Sequence, residues 1–68
     1  MVKKKYQSLI KNNKYLVLFA NDTHGDIGER EFIAKSSKEA LDLAWSKIDN
    51  HNDYPAAVYL QGHLIWER

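Results

Sequence analysis

Asp22, His24 and Asp26 stand at alternate positions in Asn21-Asp22-Thr23-His24-Gly25-Asp26-Ile27-Gly28, where side chains able to ligate a metal are spaced as a cation loop would space them. Hard cations such as calcium take oxygen ligands at such intervals, with further acids and a bidentate glutamate completing the shell. Here the second position is histidine, and Glu29 and Glu31 fall off the pattern. The stretch therefore reads as a turn in which Asp22 and Asp26 bond to nearby backbone N–H groups. Nucleophilic chemistry has little to build on. The hydroxyls Ser8, Thr23, Ser36, Ser37 and Ser46 stand in no catalytic motif, no glycine-rich phosphate loop follows a strand, and the chain has no cysteine. His24, His51 and His63 fall in three separate loops or strand ends. So short a chain is also expected to lack a pocket of about 300 Å³ or more. The sequence thus gives no catalytic residue, no metal ligand set and no cofactor site, and reads as a non-enzyme.

Charge is the second chemical feature. The net charge of +1 hides a division: residues 1–14 carry Lys3, Lys4, Lys5, Lys11 and Lys14 and no acid, whereas residues 15–68 set five basic residues against all nine acids. A basic arm precedes an acidic body. The arm could meet phosphates through Lys3, Lys4 and Lys5, fold back onto the body, or serve solubility alone.

The elements that must position these groups are legible from spacing. Sixty-eight residues allow one domain, expected to bury only about 60% of its unfolded surface. We place a basic arm over 1–13 and a single domain over 14–68. Tyr6, Leu9 and Ile10 fit a helical spacing in the arm, but Asn12-Asn13 favours a turn. Lys14–Asn21 is a strand apolar on both faces, and Glu29–Lys35 is its return partner across a loop of about seven residues. Ser36-Ser37-Lys38-Glu39 is a capping box, with the Glu39 carboxylate reaching back to Ser36. Behind it Ala40, Leu41, Ala44, Trp45 and Ile48 form an apolar helical stripe running to about Asn50, with Leu43 left on the outer side. Pro55 ends any helix by Tyr54. Ala56–Leu60 and His63–Glu67 are strands joined by Gln61-Gly62, a match to a type I′ turn. The fold class is α+β: a ββαββ, four-stranded antiparallel sheet in the order 2-1-3-4, with one helix packed on one face.

The longest apolar run has six residues, far short of the ~20 that cross a bilayer, and no basic-then-apolar leader opens the chain, so a cytoplasmic location is expected. If Leu16, Leu18, Phe32, Ala34, Val58, Leu60, Leu64 and Trp66 pack under the helix, the far face presents Tyr15, Val17, Phe19, Ile33, Tyr59 and Ile65. Such an aromatic and aliphatic surface suits a protein partner or a second copy of the chain, unless Tyr6, Leu9 and Ile10 fold across it. The expected function is a small protein-interaction module: an adaptor, regulator or inhibitor acting through that face. Nucleic acid is the alternative partner, through the arm and the sheet aromatics, against which stand the acidic body and the missing ribonucleoprotein signature. The hairpin, the capped Glu39-Ala40-Leu41 helix and the closing Ala57–Glu67 stretch resemble small accessory proteins of bacteria and their phages, a resemblance that implies a cytoplasmic regulator acting by binding.

Overall fold

A computed structural model describes residues 12–68. The strands are β1 (Asn13–Asn21), β2 (Gly25–Ala34), β3 (Asp53–Leu60) and β4 (His63–Glu67), and the helix α1 (Ser37–Ser46) lies between β2 and β3. All neighbours are antiparallel and the order is β2-β1-β3-β4, as expected, so the doubly apolar strand is central. Asn13 already pairs with Ala34, so the sheet begins one residue before the expected boundary. Lys3, Lys4 and Lys5 lie outside the described residues.

Three single-residue bulges set the faces of this sheet. Along most of β1 the register pairs Tyr15 with Phe32 and Leu16 with Glu31, but beyond Phe19 it shifts to pair Ala20 with Asp26, leaving Ile27 as the extra residue. One inserted residue moves every later side chain of its strand to the opposite face relative to its partner. A second shift pairs Leu18 with Ala57 but Phe19 with Pro55, and a third pairs Val58 with Trp66 but Tyr59 with Leu64. The extra residues there are Ala56 and Ile65.

The face expected to be open is corrected accordingly. Tyr15 and Val17 are 5% and 0% exposed and lie in the core with Phe32, Ala34, Ala40, Ala44 and Val58, and Phe19 packs against that core. These three β1 residues face the helix; Leu16, Leu18 and Leu64, expected beneath it, share the opposite face by register. Phe32, Ala34, Val58, Leu60 and Trp66 are on the helix side as expected. Val17 sits opposite Val58, both with no exposed surface, and Phe19 meets Phe32 edge-on at 6.4 Å between ring centroids.

The helix starts where the sequence places it. Ser36 Oγ accepts from the Glu39 N–H at 3.1 Å, and Glu39 Oε1 accepts from the Lys35 N–H at 2.9 Å, one residue further back than a standard capping box. It ends earlier than expected, at a Lys47 cap whose N–H reaches Ala44 O. Its buried residues are Ala40 and Ala44, flanked by the partly buried Leu41 and Leu43. Two alanines leave no side-chain spacer, so the helix lies close on the sheet. Trp45 is therefore carried outward and is 51% exposed, against the expectation that it lines the core, while Leu43 packs inward.

The first hairpin is tighter than expected, with Asp22–His24 alone between the strands. Asn21, rather than Asp22 or Asp26, organises it. Its Oδ1 accepts from the Thr23 and His24 N–H groups at 2.8 and 3.1 Å, and its Nδ2 donates to Asp53 Oδ1 at 2.6 Å. Gln61 and Gly62 have φ of 52° and 82°, the pair of positive values that a type I′ turn demands.

Candidate protein-binding face

Cross-strand partners share a face, so the side of the sheet away from α1 can be read row by row. One row runs Glu31–Leu16–Tyr59–Leu64, the next Glu29–Leu18–Ala57–Glu67, and Lys14 stands beside Ile33 at the end nearest the start of β1. Apolar side chains hold the middle strands, and acids hold the borders on β2 and β4. Lys14 is the one basic residue in these rows.

The middle of the face forms an open trough of ≈ 490 Å³ lined by Lys14, Leu16, Leu18, Glu29, Glu31 and Tyr59, with Leu60, Gln61 and Gly62 closing one end. This volume exceeds what the chain length suggested. It is a surface depression between the acids of β2 and the β3–β4 turn, not an enclosed chamber. Leu16, Leu18 and Tyr59 are half-buried, while Ile33 and Leu64 are 57% and 46% exposed. A charge-bordered apolar strip of this kind offers contact area and orientation.

Of the residues the sequence put forward for a partner, Ile33 and Tyr59 are on this face. Ile65 is exposed but is the bulge residue of β4, outside the rows. Tyr15, Val17 and Phe19 are on the other side, under the helix. Leu16, Leu18 and Leu64 were missed, and with them Glu29 and Glu67 of the acidic border, whereas Glu31 is at the rim as the sequence suggests. Their alternation was plain in the sequence, but which of the two apolar sets of β1 faces α1 depends on bulges that alternation alone does not locate.

Comparison with known proteins gives no match to any family model, curated protein or solved structure. The face must speak for itself. Among the described residues no three histidine or acidic side chains gather as a cation site would need. His24, His51 and His63 are all exposed and stand on separate turns or strand ends. No helix among the described residues is long and apolar enough to cross a membrane. A second depression, ≈ 330 Å³, lies beside the Ile27 bulge between Phe19, Arg30, Lys47, Ile48 and Asp49. Its lining mixes charges of both signs around a small apolar floor, which makes it the weaker candidate for protein contact.

Proposed function

We propose that this protein is a small, non-enzymatic interaction module that captures a protein partner on the sheet face opposite α1. The observation that carries the proposal is the strip Leu16, Leu18, Tyr59 and Leu64 between Glu29, Glu31 and Glu67. Apolar and aromatic centres with a charged rim are the anatomy of protein interfaces, and burying such a strip contributes about 25 cal/mol per Å² before association costs.

The border charges narrow the partner. Two copies meeting through this face would bring six glutamates together against two lysines, so a basic partner surface fits better than a second copy. A phosphate backbone would meet the same glutamates, which weighs against the nucleic-acid alternative. A regulatory role in the cytoplasm, of the sort accessory proteins of bacteria and phages play, fits a domain whose exposed apolar strip offers contact area.

The test is capture from a lysate by the full chain, by Leu18→Asp and by Lys38→Asp, the last on the exposed side of α1. A partner held by the wild type and by Lys38→Asp but lost with Leu18→Asp supports the reading. Capture indifferent to Leu18→Asp, or no specific capture at all, sinks it.

A further inference from the structure

Among the described residues no strand pairs with the outer side of β2 or of β4, so both are edge strands. An exposed edge recruits another strand unless it is short, bulged or guarded by charge. β4 is guarded by its shape, being five residues long with a bulge at Ile65 in its middle. β2 runs for ten residues, its bulge at Ile27 lies towards the hairpin, and from Gly28 to Ala34 it pairs with β1 without a break.

The end of that regular stretch is complementary to itself. Read against a second copy in the opposite direction, Glu31-Phe32-Ile33-Ala34-Lys35 sets Glu31 opposite Lys35, Phe32 opposite Ala34 and Ile33 opposite Ile33. Alternation puts Glu31, Ile33 and Lys35 on the face away from α1 and Phe32 and Ala34 beneath it, so each residue meets one from its own face. Lys35 is held at the end of the strand by its N–H, which donates to Glu39 Oε1 at 2.9 Å. Ile33, at the centre, is the most exposed large apolar side chain described, at 57%. Neighbouring registers are worse. Centring on Arg30 sets Glu29 against Glu31, centring on Glu31 sets two glutamates together, and centring on Phe32 sets Glu31 against Ile33. The helices leave room for the pairing. α1 touches β1, β2 and β3, so it is centred over β1. In a paired sheet β1 and its copy stand three strand spacings apart, about 14 Å, against the 8–10 Å between packed helices.

We propose that two copies of this chain pair antiparallel through the Glu31–Lys35 edge of β2, about a two-fold axis at Ile33, to form one continuous sheet. The two open faces then join, with Ile33 of each copy at the seam and each Glu31 beside Lys35 of the other. The dimer does not rest on the interaction reading above, which concerns the face and not the edge. The contact is short, so a dissociation constant of about 10–100 µM is expected, and the chain is monomeric when dilute.

Charge reversal tests the register without touching the core, because Glu31 and Lys35 are both exposed. Sedimentation equilibrium of the full chain, up to about 1 mM, should show a monomer–dimer equilibrium in that range. Glu31→Lys sets lysine against Lys35 at both symmetric positions, and Lys35→Glu sets glutamate against Glu31. Each alone should weaken the dimer about tenfold or more. An equimolar mixture of the two variants restores opposite charges at both positions and should form a heterodimer of nearly wild-type strength, which a variant that merely failed to fold could not do. Wild type that stays monomeric at the highest concentration overturns the proposal. So does a dimer indifferent to both reversals, or a mixture that associates no better than its components. Leu18→Asp separates the two readings, since Leu18 is on β1 and not at the edge: it should remove partner capture and leave the dimer constant within about twofold. Charge-dependent dimerisation without specific capture keeps the dimer and discards the interaction reading. Leu18-dependent capture by a strictly monomeric chain does the reverse.

Discussion

Replacing Val17 by threonine tests the facial assignment of β1 with almost no change of shape. The two side chains are both β-branched and similar in volume, so strand preference and packing are nearly preserved. What changes is one methyl for one hydroxyl. Val17 has no exposed surface and lies in a cluster with Tyr15, Phe32, Ala34, Ala40, Ala44 and Val58, in which the Tyr15 hydroxyl is the one polar side-chain group. Leaving a hydroxyl unsatisfied there should cost about 1–3 kcal/mol. A domain of this length has a total stability of roughly 3–10 kcal/mol, so the loss is a large fraction of the whole. With a urea m-value near the lower end for small proteins, about 1 kcal/mol/M, the denaturation midpoint should fall by about 1–3 M at unchanged m. Ile33→Thr is the companion, because Ile33 is 57% exposed on the opposite face, and it should move the midpoint by less than about 0.5 M. If Val17→Thr left the midpoint where it was, Val17 would face outward. The bulge at Ile27 would then not set the register, and the binding face drawn here would be inverted.

Trp45→Ala separates the two helix faces: a half-exposed indole should cost about 1–2 kcal/mol in equilibrium unfolding, whereas a core tryptophan would cost about 3–5. Ser36→Ala should cost about 1 kcal/mol through loss of the acceptor for the Glu39 N–H, and an unchanged unfolding midpoint would contradict the observed cap. Asn21→Ala removes the acceptor for the Thr23 and His24 N–H groups and the donor to Asp53. Amide exchange at 23 and 24 should accelerate while the centre of β1 stays protected, and unchanged exchange at both would refute the role given to Asn21.

The element list and the α-helix N-cap were legible in the sequence because each rests on a local signal, and the strand order followed from placing the doubly apolar β1 at the centre of the sheet. Ser36 with Glu39, Gln61-Gly62 and Pro55 announce their geometry within a few residues. The open face was not legible, and the reason is specific. Tyr15, Val17 and Phe19 form as convincing an apolar set as Leu16 and Leu18, and only pairing with β2 and β3 selects between them. That pairing turns on Ile27, Ala56 and Ile65, extra residues with no distinctive local pattern. The helix face failed for a related reason. Trp45 is the largest apolar side chain in α1, but the sheet accepts Ala40 and Ala44 because their small size lets the backbone approach.

We propose that the face bearing Leu16, Leu18, Ile33, Tyr59 and Leu64 is where a protein partner binds. Methyl-labelled NMR of the full chain, titrated with the partner isolated by capture, tests it most directly. Binding on this face should shift the methyl signals of Leu16, Leu18, Ile33 and Leu64 and leave those of Leu41, Leu43 and Ile27 in place. Shifts concentrated on the helix side or at the Ile27 end of the hairpin, with the Leu16 and Leu18 signals unmoved, would contradict it.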